Sequence, residues 1–248
     1  MKKRISFTTQ GQRADIGEYF IHQILPNRYT DAIGPFVFLD HLLLVKYLPG
    51  EPVKSIHRNG SLPGRGIKAL TYILNGEDGD RGSEAWMKGK ESIYIGEVVN
   101  TDLRANNLLT HALQFWISHP SQQKATSPAY LPIDANEVPK QMLTDNRGWL
   151  KLVFGEYENL VCKVPSQTKQ FLYHIHLEPG KQISTTTENG LEYAIFLPLH
   201  DAVINDIECK KGDVIEFEKQ EGIIEITNYY NVGIDIIIFG GENKRSLA

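Results

Sequence analysis

Cysteine is scarce in this sequence: only Cys162 and Cys209 occur among 248 residues. They are far apart, and each lies in a stretch typical of a β-strand. This argues against a disulfide-stapled fold and against a cysteine-rich metal site, which need more cysteines at short spacings. The scarcity indicates a reducing compartment. Whether the two cysteines pair with each other stays open.

Long apolar runs and an excess of basic residues are also missing. No run approaches the roughly 18 apolar residues of a transmembrane helix, and the residues after the basic start at 1–4 are too polar for the core of a signal peptide. With 26 basic and 30 acidic side chains, the formal charge is -4. No positive field is therefore available for nucleic acid phosphates. We expect a cytoplasmic protein that binds neither nucleic acid nor a membrane; its oligomeric state stays open.

Long helical periodicity is absent, and the apolar segments are short and bounded by turn residues. Residues 70–74, 112–117 and 223–227 have this character. The pattern predicts an all-β fold, with one short helix around residues 134–138. A central stretch rich in Pro, Ser, Gln and Lys is interpreted as a linker. The predicted division is residues 1–120, a linker at 121–146, and residues 147–248.

Familiar catalytic templates are missing as well. The sequence contains no Gly-x-Ser-x-Gly elbow, no P-loop and no dinucleotide fingerprint. Neither cysteine stands in the context of a nucleophile. We therefore predict no catalytic residue. Whether the chain is an enzyme stays open, with a role without catalysis preferred.

What the sequence does contain is the motif SLPGRGIKALTYILNG at residues 61–76. It resembles the metal-binding segment of the pirin family, in which His-Pro-His-Arg-Gly leads into a buried strand that ends in Gly. The positions that keep this pattern are Pro63, Arg65, Gly66, Thr71, Tyr72 and Gly76. Further landmarks follow in the family's order, at residues 38–41, 110–116, 128–130, 137–139, 177–180 and 239–242.

The resemblance implies a bicupin, an all-β chain with two cupin-type β-barrel (jelly-roll) domains. The first barrel would cover residues 1–120 and the second residues 147–248. The resemblance also implies iron or another divalent metal in the first barrel. Its ligands would be the two histidines of the motif together with a His and a Glu from a later His-Ser-Glu turn.

This chain departs from the family at those ligand positions. Leu62 and Gly64 stand in place of the two histidines, and residues 100–107 contain no His-Ser-Glu. An apolar side chain and a bare Cα provide no donor for a divalent metal. We therefore predict a degenerate metal site and no cofactor. His57 and His111 are weak fallback ligands; they are interpreted as a loop residue and a hydrogen-bonded strand-end residue.

Without metal ligands, the first barrel is expected to contain a larger and more apolar cavity. Its predicted lining is Leu62, Gly64, Arg65, Lys68 and Tyr72. Lys68 stands where many cupins have a ligand Glu: pointing inward it would bind an anion, and pointing outward it would be a solvated strand lysine. Arg65 either contacts an acidic ligand or braces the loop through a carboxylate.

The second barrel has candidates of its own when it is aligned on the general cupin motif from Gly180. The alignment places Thr186, Glu188, Glu192 and Glu225 at ligand positions. These side chains would either bind a hard cation such as Ca²⁺ or Mg²⁺ or face solvent. Nearby, His174 and His176 share one face of a strand, and we interpret them as part of an exposed polar face.

Two functions remain. The first is a small-molecule-binding or regulatory protein that uses the emptied cavity or docks a protein partner. The alternative, implied by the resemblance, is a metal-dependent quercetin 2,3-dioxygenase. The first is preferred because the metal ligands are missing, and the identity of any ligand or partner stays open.

Overall fold

The computed structural model describes residues 1–16, 19–44, 67–75, 91–95, 110–118, 129–133, 135–164 and 168–243. These residues form strands and two 3-10 turns, with no α-helix among them, which confirms the all-β prediction. The strands are β1 Ile5–Gln10, β2 Gln12–Ile16, β3 Tyr19–Leu25, β4 Phe36–Leu44, β5 Ile67–Asn75, β6 Glu91–Ile95, β7 Thr110–Ser118, β8 Ala129–Ile133, β9 Lys140–Met142, β10 Gly148–Tyr157, β11 Leu160–Val161, β12 Gln170–Leu177, β13 Gln182–Thr186, β14 Leu191–Phe196, β15 Ala202–Ile204, β16 Ile207–Cys209, β17 Asp213–Phe217, β18 Ile223–Thr227 and β19 Ile234–Glu242.

The chain divides into two compact units. The N-terminal unit consists of Gln12–Asp31 and Phe36–Glu137, and the C-terminal unit of Met1–Gly11, Ala32–Pro35 and Val138–Ala248. The sequence prediction placed all of residues 1–120 in the first barrel. The structure instead pairs β1 with β17, antiparallel, so the start of the chain belongs to the C-terminal unit. Pairing between strands about 200 residues apart leaves no local signal in the sequence.

The described part of the N-terminal unit is a seven-stranded sheet in the order β2-β3-β4-β7-β5-β6-β8. Leu39, Phe115 and Leu70 lie opposite one another on β4, β7 and β5, and all three are fully buried. β8 lies within the predicted linker and pairs in parallel with β6. The segment predicted as a linker therefore contributes a strand to this sheet.

The C-terminal unit contains two sheets. One has the order β1-β17-β14-β19-β12-β10-β11, with β9 also pairing with β10, and the other has the order β13-β18-β15-β16. Leu150, Ile175 and Ile236 form a buried row across β10, β12 and β19. Branched and leucine side chains at these positions supply the apolar burial that stabilises the unit.

Both cysteines are free and buried, so they do not form the disulfide that the sequence left open. Burial raises the pKa of the Cys209 thiol to about 11, and it also raises the pKa of Cys162. Both thiols therefore stay protonated at neutral pH.

The predicted short helix is a 3-10 turn at Ala135–Glu137. Within the described ranges, no helix has the length and apolar character needed to span a membrane.

Candidate functional site

The first candidate site lies where β5 begins, within the sequence motif at residues 61–76. Lys68 and Tyr72 lie opposite Ile117 and Leu113 of β7, with no register shift between them. Because alternate residues of a strand share one face, Lys68 lies on the same face as Leu70 and Tyr72. Leu70 and Tyr72 are buried, and Lys68 is half-buried. Of the two orientations considered for Lys68, this register supports the one toward the core face of β5.

The opposite face of the same strands carries one polar row. Asp40 of β4, Gln114 of β7 and Thr71 of β5 lie opposite one another. The Thr71 hydroxyl donates a hydrogen bond to Oε1 of Gln114 at 2.8 Å, and Nε2 of Gln114 donates to the Leu70 carbonyl at 3.4 Å. Asp40 and Thr71 are buried. These bonds stabilise the alignment of β5 on β7, and this alignment determines where Lys68 lies.

The other members of the predicted cavity are not positioned. Leu62, Gly64 and Arg65 lie outside the described residues, as does the fallback ligand His57. The backbone of His111 lies near the start of β7, opposite Leu43 and Asn75. The roles proposed for these residues therefore stay predictions.

The carboxylates predicted for the second barrel are held apart, each beside its own lysine. Glu188 pairs with Lys169, Glu192 with Lys219 at 3.2 Å, and Glu225 with Lys2 at 2.6 Å. Thr186 is exposed and lies opposite Ile223 on β18. In the part of the chain that the structure describes, no three His, Cys, Asp or Glu side chains converge as a metal site. The structure does not bring the four candidates together.

The C-terminal unit contains a different feature, a cavity of about 100 Å³. Its wall is mainly aliphatic and aromatic, formed by Leu150, Tyr157, Tyr173, Ile175, Ile183 and Ile238. On β13, Ile183 and Thr185 are half-buried and alternate with exposed residues. The sequence alignment had assigned Thr186 to the ligand position, one residue away from this inward-facing pair. A shift of one residue exchanges the two faces of a strand, so the interior residues of β13 were missed.

A polar cluster on β10, β12 and β19 was also missed. His174 and His176 were interpreted as an exposed face, but His174 is only 3% exposed. Nε2 of His174 lies 3.1 Å from Oδ1 of Asp235, and Nδ1 of His176 lies 2.9 Å from the same oxygen. Trp149 stacks on His176, with ring centroids 5.4 Å apart. The interpretation of an exposed face was therefore wrong: Asp235 lies opposite His176 only because β12 pairs with β19.

Asp235 carries the negative charge of this cluster. Burial opposes its ionisation, but the hydrogen bonds and charges of His174 and His176 outweigh burial and lower the pKa of Asp235 to about 2. Burial lowers the pKa of His174, and this effect exceeds the opposing effect of Asp235. A neutral His174 therefore donates from Nε2 to the carboxylate. Charge-assisted hydrogen bonds of this kind are stronger than neutral ones and tie β12 to β19.

The comparisons with known proteins agree with this architecture, although no family model matches the chain. Over 232 residues the chain is 29% identical to a pirin-like protein from Caulobacter vibrioides, covering 89% of this chain and 78% of that protein.

Two solved structures share the fold. The first is a quercetin 2,3-dioxygenase from Acinetobacter baumannii, with a TM-score of 0.73 at 16% identity, covering 98% of this chain and 88% of that one. The second is the bacterial pirin YhhW from Escherichia coli in complex with nickel(II), with a TM-score of 0.57 at 13% identity, covering 95% of this chain and 98% of that one. These likenesses confirm the predicted fold of two cupin-type barrels. Together with the ordered sequence landmarks, the Caulobacter relative makes the chain similar in sequence to pirin-like proteins, and the two solved structures show that it shares their fold.

Proposed function

We propose that this chain is a pirin-like binding protein whose first barrel takes a small aromatic acid and does not use the divalent metal that the family implies. The observation that carries this proposal is the register of Lys68, which shares a strand face with Leu70 and Tyr72.

The residues at the family's ligand positions do not fit a divalent metal. Metals of this kind bind imidazole, carboxylate or thiolate, and Leu62 and Gly64 offer none of these. Lys68 adds an ammonium, which has three donors and no acceptor. A positive charge near the vacated position opposes a second cation. The donor chemistry therefore supports a degenerate metal site.

The same residues suit an organic anion. An ammonium near an apolar surface binds a carboxylate through a charge-assisted hydrogen bond. The buried Tyr72 and the apolar Leu62 would favour an aromatic ring over a polar one. Small-molecule pockets commonly combine an apolar lining with a few polar groups that orient the ligand. A small aromatic acid satisfies both features.

Replacing Lys68 with methionine is expected to weaken the binding of benzoate about tenfold or more. A hydrogen bond to a charged group contributes about 1.5–3 kcal/mol, and about 1.4 kcal/mol corresponds to a tenfold change in affinity. Isothermal titration calorimetry measures this difference directly. The matched control is Lys211→Met, which removes an exposed lysine of the C-terminal unit and should leave benzoate affinity unchanged.

A second variant, Leu62→Trp, should fill the cavity and abolish benzoate binding while far-UV circular dichroism stays that of the parent. Equal affinity in Lys68→Met and the parent would contradict an acid site at Lys68. If the parent does not bind benzoate, the cavity proposal is wrong, and a protein partner at the surface becomes the better account.

The likeness to a quercetin 2,3-dioxygenase structure supports an enzyme as the alternative function. The metal content of the purified protein discriminates between a binding protein and a metal-dependent enzyme. Protein purified without added metal is expected to contain far less than one equivalent of iron, nickel, copper or zinc by elemental analysis. Quercetin turnover should be absent even with added Fe²⁺, Cu²⁺, Ni²⁺ or Mn²⁺. Near-stoichiometric metal, or metal-dependent oxygen uptake above the free-metal control, would establish the alternative. His57 and His111 would then be the first residues to mutate.

A further inference from the structure

We propose that the cavity of the C-terminal unit is a second small-molecule site and that it takes an uncharged, single-ring phenol. This site is independent of the first barrel. It is built from β10, β12 and β19 of one sheet and from β13 of the other, with the turn at residues 143–147 beside it.

The wall of this cavity is suited to an aromatic ring. Tyr157 and Tyr173 meet edge to face with ring centroids 4.8 Å apart. Phe171, which does not line the cavity, stacks on Tyr173 at 5.0 Å and supports its ring. Aromatic pairs with these geometries are favourable beyond the area they bury. Ile175 and Ile238 are almost fully buried and complete an apolar floor. A planar ring can contact both surfaces at once.

Access comes from the side of β13. Among the described residues, this strand is the outermost of the four-stranded sheet and pairs with β18. Its two inward residues, Ile183 and Thr185, are half-buried, and both line the cavity. The hydroxyl of Thr185 at this edge provides one donor and one acceptor for a ligand hydroxyl. The ring would thus lie inside, with its hydroxyl toward β13.

The charge at the rim argues for a neutral ligand. Arg147 lines the cavity, and two of its three guanidinium nitrogens are engaged. Its Nε donates to the Thr144 carbonyl at 3.1 Å, and one terminal nitrogen donates to the Thr144 hydroxyl and to the Asp145 carboxylate, each at 2.9 Å. A carboxylate ligand would have to share this cation with Asp145, whereas a phenol needs no ion pair.

The size of the cavity limits the ligand to one ring. A cavity of about 100 Å³ is somewhat smaller than the engineered apolar cavity of about 150 Å³ that binds benzene. A fused-ring flavonol would not fit without displacement of the walls. A ligand as small as phenol is expected to bind with a Kd on the order of 1 mM.

The test is a methyl NMR titration of the full-length protein, labelled at the isoleucine δ1 positions, with phenol as the probe. Ring-current shifts that saturate are expected at Ile175, Ile183 and Ile238. The exposed Ile207 and the N-terminal unit's Ile117 should not shift. Benzoate, which probes the first-barrel proposal, should leave the three cavity methyls unchanged. Because the two ligands report on different methyls, either proposal can fail while the other stands.

A filled cavity provides the second measurement. Ile183→Phe should abolish the phenol shifts at Ile175 and Ile238, whereas the matched surface change Ile207→Phe should preserve them. If Ile183→Phe does not fold, Thr185→Phe replaces it. If neither variant folds, the phenol-induced methyl shifts of the parent protein are sufficient to test the proposal. Shifts that are confined to Ile117, that persist unchanged in the filled variant, or that benzoate reproduces at the cavity methyls would overturn the proposal.

Discussion

Replacing Gly155 with alanine is expected to prevent the C-terminal unit from folding stably, whereas the same change at Gly190 should be tolerated. The two glycines have nearly the same backbone conformation, with φ of +87° at Gly155 and +82° at Gly190. Their surroundings differ. A Cβ at Gly155 would lie 1.9 Å from the carbonyl oxygen of Gln170 on β12, while a Cβ at Gly190 would meet nothing within 4 Å.

The comparison separates two penalties. A left-handed conformation costs an alanine about 1–2 kcal/mol, and both variants bear this cost. Only Gly155→Ala must also separate β10 from β12, and these strands carry part of the cavity wall. We expect its total cost to exceed about 4 kcal/mol, in the range seen when a core is disrupted. Urea unfolding followed by circular dichroism measures the free energy of unfolding of both variants. Similar decreases in the two would show that β10 can move away from β12 without a cost in stability.

Replacing Asp235 with alanine should lower the free energy of unfolding by about 3 kcal/mol. The change leaves the ring nitrogens of His174 and His176 without the carboxylate oxygen that both contact. A buried polar group that loses its partner costs about 1–3 kcal/mol, and more when the partner was charged. The matched control is Glu208→Ala, which removes a carboxylate that is 60% exposed and paired with Lys210. An exposed ion pair contributes at most about 1 kcal/mol, so equal losses in the two variants would contradict the network.

Acid pH should weaken the same network. Asp235 has a pKa of about 2 in the folded protein, below its ordinary value of about 3.9. Its ionised form therefore stabilises the fold above about pH 4, and this contribution is lost as the pH falls toward 2. The lowered pKa of His174 acts in the same direction, since protonation below about pH 6.5 favours the unfolded chain. In Asp235→Asn, the free energy of unfolding should no longer fall between pH 4 and pH 2 to the extent seen in the parent. An unchanged dependence on pH would show that other carboxylates cause the loss of stability.

Particular residues show which features of the candidate sites could be predicted from the sequence. The register of β5 on β7 supports the inward alternative for Lys68, which sequence reasoning had considered but could not choose. The general cupin motif placed Thr186 at a ligand position, but it determines spacing and not which face turns inward, so Ile183 and Thr185 were not predicted as interior residues of β13. His174 was assigned to an exposed face because polar and apolar residues alternate along its own strand. Its hydrogen-bond partner, Asp235, lies on β19 and could not be identified from that alternation.

The sequence by itself determined the fold class and the resemblance to pirin-like proteins, because short apolar segments, turn residues and ordered landmarks are local features that can be recognised without the tertiary structure. It also showed that Leu62 and Gly64 cannot donate to a metal, since donor chemistry belongs to each residue alone. The tertiary structure decided which strand pairs with which, and therefore that β1 joins the C-terminal unit, that Asp235 meets two histidines and that Ile183 lines a cavity. These outcomes depend on register between distant strands, where a shift of one residue exchanges the buried and the exposed face.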